Sequence, residues 1–284
     1  MTSLPQSERL LAVAKMAAHS VEDQLRTAFR SVMAFDTKRD FHDIVTEHDR
    51  ASEERIASVI FREVPDSAMV GEEGGRRGSG NVVWYVDPID GTSNFARGIA
   101  YWCVSIAAAV DDEIVAGVVF DPMAGNLFSA SLGGAWLNGR PLAAQAFAEE
   151  RQATLLTSFP NARNINDLGA MVYGCQAELL RAFQVTRNLG SGALNLAHIA
   201  AGWSDATLGL STNPWDVAAG ILILRQAGGR YCGFDGGIES EPTHLASDYF
   251  ATGGGADYPT LEQVARTLSA QTATRHRHTA GART

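Results

Sequence analysis

The spacing of apolar residues in the first part of the chain predicts helices. Apolar side chains recur every three or four positions over residues 7–33, which predicts one long amphipathic helix. Residues 36–41 are charged and irregular, which indicates a loop. A second helix is predicted to begin near Asp49, which can act as its N-cap, and to end at Pro65. The chain therefore opens with two predicted helices on either side of a charged loop.

The middle of the chain shows the short β-rich runs that are typical of antiparallel strands. Two of these runs are joined by Asp111 and Asp112, which predict a hairpin with a tight acidic turn. The segment that follows carries two glycine-containing turn signals and predicts another pair of short strands. The predicted strands lie at residues 82–86, 101–110 and 113–120, with the pair within 127–142.

Beyond residue 149 the pattern alternates between strand and helix. Strands are predicted at residues 153–157 and 206–210, and helices at 168–183 and 215–228, with a further helix that is opened by residues 190–192 and runs through Ala200. Antiparallel strands followed by this alternation predict an α/β (α+β) layered fold. The predicted parts are an N-terminal half (1–148), a C-terminal half (149–270) and a tail (271–284) that has no apolar face and should be disordered.

Composition and charge narrow the possible partners. The chain has 284 residues, of which 45% are hydrophobic and 19% charged, as expected for one large or two closely packed globular layers. Its net charge of −9 argues against a nucleic-acid partner, and it suits an anionic substrate only if some acids hold divalent cations. The three widely spaced cysteines predict buried free thiols in a reducing compartment. The sequence has no signal-peptide pattern and no apolar run of ~20 residues, so we expect a cytoplasmic protein without a membrane span.

Candidate chemistry lies in four short segments, residues 43–49, 71–74, 87–95 and 215–220. In the third, two carboxylates follow a strand at positions i and i+3, with Pro88 fixing a turn and the carbonyl of Ile89 between them. Hard cations such as Mg²⁺ bind oxygen clusters of this kind. Gly91 lets the backbone approach a ligand closely, and the amides after it suit a phosphate group.

Each segment alone also has an ordinary explanation. Asp, Pro and Gly are turn residues, so residues 87–91 are equally typical of an acidic turn. Residues 71–74 would usually form a solvated loop, and residues 215–220 a capped helix with small packing residues. Glu53 and Glu54 on the second helix are most simply a surface face.

Together and in this order, the four segments resemble the signature of the inositol monophosphatase family, which comprises lithium-sensitive, magnesium-dependent phosphatases. The resemblance covers residues 8–267 and includes residues 104–106 and 227–229, which follow the central and last motifs. It implies an αβαβα sandwich of the type shared with fructose-1,6-bisphosphatase, usually in a homodimer, with two or three Mg²⁺ ions in each site.

The resemblance also implies a ligand set for the ions. Glu72, Asp87, Asp90 and the carbonyl of Ile89 would bind the first metal. Asp87, Asp90 and Asp216 would bind the second, and a weaker third ion would lie near Glu72. Without metal these carboxylates would repel one another and raise their pKa values, whereas bound Mg²⁺ would lower the pKa of a coordinated water and neutralise the phosphate.

The remaining roles concern water and substrate. Thr92, oriented by Asp49, would position the attacking water, and Glu73 would help to orient it. The resemblance assigns the phosphate and substrate contacts to Gly91, Thr92, Gly190, Ser191 and Gly192. Lys38 is either a lysine at the mouth of the site or a mobile surface residue.

The sequence departs from the family at one substrate position. Inositol-specific members carry a glutamate seven residues before the last aspartate, where this chain has Gly209. We therefore expect a wider pocket there and a phosphatase acting on a small-molecule phosphate monoester, with inositol phosphate weakened but not excluded. Histidinol phosphate, 3′-phosphoadenosine nucleotides, NADP and fructose bisphosphate remain alternatives, as does a paralogue that binds ligand without turnover.

Overall fold

The computed structural model describes residues 2–31, 35–37 and 44–281, with side chains described up to residue 272. These residues form two compact units. The first unit contains Met1–Leu142, Gly190–Ala197 and Pro214–Ala227. The second contains Ala143–Leu189, His198–Asn213 and Gly228–Thr284. The sequence predicted one boundary, at residue 149. In the structure the chain passes from the first unit to the second after Leu142, and two later segments belong to the first unit again.

The elements are numbered in chain order. The helices are α1 (Leu4–His19), α2 (Glu22–Ala28), α3 (Glu47–Glu63), α4 (Thr92–Arg97), α5 (Ala162–Leu168), α6 (Met171–Ala182), α7 (Gly192–Ala200), α8 (Pro214–Gln226) and α9 (Pro259–Gly281). The strands are β1 (Phe35–Thr37), β2 (Ile44–Thr46), β3 (Ser67–Gly71), β4 (Gly75–Gly78), β5 (Val82–Asp90), β6 (Cys103–Val110), β7 (Glu113–Asp121), β8 (Asn126–Ser131), β9 (Gly134–Leu137), β10 (Arg140–Pro141), β11 (Thr154–Thr157), β12 (Val185–Arg187), β13 (Ala206–Gly209), β14 (Arg230–Asp235), β15 (Ile238–Glu239) and β16 (Asp248–Thr252).

The first unit is built on an eight-stranded sheet in the order β10-β9-β8-β7-β6-β5-β3-β4, and β1 pairs with β2 separately. Neighbouring strands are antiparallel except β3 and β5, which are parallel. Helices α1 and α3 bury apolar side chains such as Leu10 and Ile56 in one core with Trp84 of β5. Helix α8 lies directly on β7, because a Cβ atom at Gly117 would come within 2.9 Å of the Ala219 carbonyl oxygen.

The second unit is built on a six-stranded sheet in the order β12-β11-β13-β16-β14-β15. Strand β11 runs parallel to β12 and β13, and the remaining pairs are antiparallel. Its core joins apolar residues of α6 and α9, such as Leu179 and Leu261, to Leu155 and Phe250 of the sheet. The mixed α/β fold with two main sheets agrees with the predicted class.

Two predictions about the opening helices were wrong in detail. The predicted long helix is two helices, because the backbone and hydroxyl of Ser20 bond back to carbonyls of the preceding turn and end α1. The N-cap of α3 is Thr46 rather than Asp49, which lies inside the helix as the reciprocal partner of a capping box. The helix ends at Glu63, just before Pro65, as predicted.

Other predictions can be compared directly with the strands and the chain end. Asp111 and Asp112 have φ values of 51° and 63°, so they form the tight hairpin turn that the sequence predicted between β6 and β7. Residues 127–142 hold strands β8, β9 and β10 rather than one pair. Helix α9 continues to Gly281, where the sequence predicted a disordered tail. The three cysteines are free and buried, as expected.

Within the described residues, none of the helices combines the length and the apolar character that crossing a bilayer requires.

Candidate active site

The candidate site begins at the carboxyl end of β5. Asp87 pairs with Ser105 of β6, and Asp90 pairs with Cys103, so three steps along β5 oppose two along β6. This is a β-bulge, and it matters because residues three apart in a regular strand would point to opposite faces. The predicted turn at Pro88 is therefore a bulge inside the strand, and the amide of Ile89 donates to Asp87 Oδ1 at 2.9 Å.

Strand β3 brings Glu72 beside Asp87. The two strands β3 and β5 are parallel neighbours, with Gly71 opposite Val86. The amide of Glu72 extends this pairing by donating to the Val86 carbonyl at 3.1 Å. The Glu72 and Asp87 side chains are also hydrogen-bonded to each other, and this contact adds to the increase in the pKa of Asp87.

Asp216 reaches the same cluster from the first turn of α8. The hydroxyl of Ser105, whose residue lies opposite Asp87 in the sheet, donates to the carbonyl of Trp215 at 3.0 Å. This bond fixes the start of the helix next to the carboxyl end of β5. The positive end of the helix dipole favours the ionised form of an acid at this position.

The electrostatics indicate a site built for cations. Asp87 is only 2% exposed, and burial raises its pKa well above the usual range, with further increases from Glu72, Asp90 and Asp216. Burial also raises the pKa of Asp90 to about 6. Negatively charged carboxylates are therefore concentrated at this place, and a hard divalent ion could compensate their repulsion.

The side chains are not yet arranged around an ion. Within the part of the chain that the structure describes, no three His, Cys, Asp or Glu side chains form a group that could hold a metal. The donor set still fits such an ion chemically, because it consists of carboxylates that lie close to the buried Asp87 and raise its pKa, and hard cations prefer oxygen ligands of this kind.

Residues at the start of α7 form hydrogen bonds to the carboxylate of Asp90. The Ser191 hydroxyl donates to Asp90 Oδ2, and the amide of Ala193 donates to the same oxygen at 2.8 Å. The amide of Leu194 in turn donates to Ser191 Oγ at 3.3 Å, so Ser191 also caps the helix. The segment of Gly190, Ser191 and Gly192, predicted to contact substrate, thus supports a carboxylate in this structure.

Thr92 and Asp49 are in direct contact, as the resemblance predicted. The Thr92 hydroxyl lies 3.2 Å from Asp49 Oδ1 and 3.0 Å from the carbonyl oxygen of Ile89. Asp49 Oδ2 accepts from the amide and the hydroxyl of Thr46, at 2.8 Å and 2.6 Å. Asp49 is fully buried, and this burial raises its pKa to about 6, with smaller increases from Glu73 and Glu72.

Glu73 and Gly91 complete the predicted set. The Glu73 side chain is only 6% exposed and lies 3.9 Å from the guanidinium of Arg50. Gly91 has φ 96°, and an added Cβ would lie 3.1 Å from the Tyr101 carbonyl oxygen, so only glycine suits the position. Lys38 lies outside the described residues.

One residue of the site region was missed by the sequence analysis. Glu53, predicted as part of a surface face, is fully buried and accepts hydrogen bonds from the amides of Glu73 and Gly74. Helical spacing could have identified it, because Glu53 lies four residues after Asp49 and in line with the buried Ile56 and Ile60.

The second unit shows why Gly209 is a glycine. A Cβ atom there would lie 2.2 Å from the ring of Tyr249, which stacks on Tyr231 with ring centroids 4.8 Å apart. The space beside Gly209 is therefore filled by an aromatic ring. The predicted wider pocket at this position was wrong.

Comparison with known proteins agrees with the fold and the motifs. The chain is 39% identical over 195 residues to the Nus factor SuhB of Xylella fastidiosa, covering 68% of this chain and 70% of the relative. It is 35% identical to the inositol-1-monophosphatase of Synechocystis, covering 79% of each chain. The solved inositol monophosphatase of Anabaena (Nostoc) superposes with a TM-score of 0.77 at 29% identity, over 92% of this chain and 95% of that one. The model of the inositol monophosphatase family matches residues 6–275. The chain belongs to the inositol monophosphatase family.

Proposed function

We propose that this protein is a Mg²⁺-dependent phosphatase that hydrolyses a small-molecule phosphate monoester by attack of water. The observation that supports this most strongly is Asp87, whose pKa is raised by burial and further by three neighbouring carboxylates within one compact unit. Such a cluster destabilises the fold unless cations neutralise it, so it is more easily explained by function than by structure. Membership of a family that is in general Mg²⁺-dependent supports the same ion.

The proposed metal ligands are oxygens from three elements of the first unit. They are the carboxylates of Glu72, Asp87, Asp90 and Asp216 and the backbone carbonyl of Ile89. When bound, Mg²⁺ would neutralise the phosphate and make a coordinated water more acidic. Ser191 and the first turn of α7 would hold Asp90 in place through the bonds they already make to its Oδ2.

The water is proposed to be oriented by Thr92 and Asp49. The Thr92 hydroxyl donates to Asp49 or to the Ile89 carbonyl, which leaves its oxygen able to accept a hydrogen bond from water. Asp49 can take up a proton near neutral pH because its pKa is about 6. Glu73 lies close enough to raise that pKa and would assist in the same task. The amides of Gly91 and Thr92, at the start of α4, would bind phosphate oxygens.

The substrate is proposed to be recognised without an acid at position 209. Tyr249 fills the space beside Gly209, so neither a carboxylate nor a vacancy stands there. Specificity for inositol 1-phosphate should then fall several-fold to about tenfold, because one neutral hydrogen bond contributes only about 0.5–1.5 kcal/mol. Histidinol phosphate, a 3′-phosphoadenosine nucleotide, NADP and fructose bisphosphate are the alternative substrates, and the active form is proposed to be a homodimer.

The test is phosphate release from a panel of these esters with Mg²⁺ and with a chelator. We expect Mg²⁺-dependent release, with kcat/KM values that rank the esters. A hundredfold preference for inositol 1-phosphate would refute the argument from position 209. No release from any ester, with Mg²⁺ binding intact, would refute the proposed activity and favour the alternative of a paralogue that binds ligand without turnover.

A further inference from the structure

Glu53 lies on helix α3, but its side chain is hydrogen-bonded to residues outside that helix. Its carboxylate on α3 is fully buried, and both of its oxygens are used. Oε2 accepts from the amide of Glu73 at 2.8 Å, and Oε1 accepts from the amide of Gly74 at 2.8 Å. The guanidinium of Arg77 also donates to Oε1 at 3.0 Å. Burial raises the pKa of Glu53, and the two backbone amides and Arg77 oppose this increase, so the ionised form of Glu53 depends on the positions of these three donors.

The two glycines around Glu72 and Glu73 are explained by this contact. A Cβ atom at Gly71 would lie 2.4 Å from Glu53 Oε2. A Cβ atom at Gly74 would lie 2.0 Å from a terminal nitrogen of Arg77. The spacing Gly-Glu-Glu-Gly therefore lets Glu53 and Arg77 lie directly against the turn between β3 and β4.

The result is that two consecutive amides of this turn are held from different elements. The amide of Glu72 donates to the Val86 carbonyl of β5, and the next amide, of Glu73, donates to Glu53 of α3. Together these bonds fix the peptide from which the Glu72 side chain extends toward Asp87. Without the Glu53 carboxylate, the bond from the Glu72 amide to the Val86 carbonyl would remain, and the bond from the Glu73 amide would be lost.

We propose that Glu53 is a positioning residue that holds the Glu72–Glu73 turn in the geometry needed for divalent-cation binding. This inference rests on the proposed function, in which Glu72 is a metal ligand. Groups that hold a ligand in place typically change metal affinity by about 10–100-fold when they are removed. Glu53→Gln removes the charge and replaces one acceptor oxygen by an NH₂ group that faces backbone donors.

The experiment compares Glu53→Gln with the matched control Glu54→Gln. Glu54 is the neighbouring acid on α3, 66% exposed, and it pairs with the other terminal nitrogen of Arg77 at 2.6 Å. Binding of Mn²⁺ to the metal-free proteins is measured by titration calorimetry, and the Mg²⁺ dependence of phosphate release is measured in parallel. We expect Glu53→Gln to weaken Mn²⁺ binding about tenfold or more. At saturating Mg²⁺ its kcat should recover to near the wild-type value, whereas Glu54→Gln should bind as the wild type does.

A second variant covers the case in which Glu53→Gln does not fold. Gly71→Ala places a methyl group against Glu53 Oε2 and displaces the carboxylate without removing its charge, so we expect the same loss of Mn²⁺ affinity. Wild-type affinity in every folded variant would overturn the positioning role and leave the proposed function intact. A kcat that stays low at saturating Mg²⁺ would also overturn it, because the role would then not act through metal binding. Absence of divalent-cation binding by the wild-type protein would overturn the proposed function itself.

Discussion

Replacing Asp49 by asparagine should make the metal-free protein more stable at neutral pH while lowering its turnover. Asp49 is fully buried, and Thr46 and Thr92 supply its hydrogen bonds. Asparagine has nearly the same shape. Its carbonyl oxygen can accept from Thr46, and its NH₂ group can donate to the Thr92 hydroxyl, which still has the Ile89 carbonyl as its own acceptor. The substitution therefore removes a buried charge while Thr46 and Thr92 each keep a hydrogen-bond partner.

The magnitude follows from the pKa of Asp49. Burial raises this pKa from 3.8 to about 6, which corresponds to about 3 kcal/mol. Because the folded state binds the proton more tightly than the unfolded state, this contribution to stability is complete below the unfolded pKa and is lost as the pH rises through about 6. Asparagine has no proton to lose. The free energy of unfolding should therefore be higher in Asp49→Asn by about 3 kcal/mol above neutrality, and the difference should vanish near pH ~4.

The assay is urea unfolding in the presence of a chelator, at several pH values between about 4 and 7.5. Hydrogen exchange in α3 peptides identifies the transition of the unit that contains Asp49. Glu47→Gln is the control, because Glu47 is an acid in the same helical turn whose side chain is 86% exposed. If Asp49→Asn were no more stable than the wild type above neutrality, or if its advantage persisted at the acidic end, the argument from burial would be refuted.

Three further predictions concern the metal site, its inhibition and the second unit. Asp90→Asn removes a charge from the proposed metal site and should lower kcat by several orders of magnitude at saturating Mg²⁺. Because asparagine keeps an acceptor for Ser191, the circular dichroism spectrum should be unchanged. Near wild-type turnover would contradict the ligand assignment. Li⁺ should inhibit phosphate release in the presence of Mg²⁺, with Na⁺ at equal ionic strength as the control, and full activity in Li⁺ would indicate a different second metal site. Gly209→Glu should lower the free energy of unfolding by about 1–3 kcal/mol or more, because its side chain meets the ring of Tyr249. The same substitution should cost less in a Tyr249→Ala background, and equal costs in the two backgrounds would show that Tyr249 is not the obstacle.

The parts of the fold that the sequence predicted well are those set by local interactions. Asp111 and Asp112 adopt the positive φ values that a two-residue hairpin requires, and acidic residues tolerate that conformation. The break after α1 depended on a different local choice, the bonding of Ser20 back to the preceding turn, which competes with helix continuation. The periodicity of apolar residues contains no signal for this hydrogen bond, so the sequence predicted one helix where the structure has two.

The geometry of the carboxylates required information that lies outside any one segment. Asp87 and Asp90 share a site because β5 has a bulge, and a bulge is defined by the register with β6 rather than by β5 alone. The assignment of α8 to the first unit also depends on a residue that is distant in sequence, because the helix packs on Gly117 of β7. The order of the motifs predicted which carboxylates form the candidate site, whereas strand pairing determines their geometry.

Gly209 illustrates that a residue without a side chain does not imply open space in the structure. The sequence has Gly209 where the resemblance implies a glutamate in inositol-specific members, and it suggested open space in its place. The structure fills that space with the ring of Tyr249, stacked on Tyr231, so the missing side chain leaves no open volume beside Gly209. Reintroducing the acid alone would then add a clash instead of a hydroxyl acceptor. A change of specificity at this position should therefore require both residues to change together, because the glycine and the ring occupy one volume.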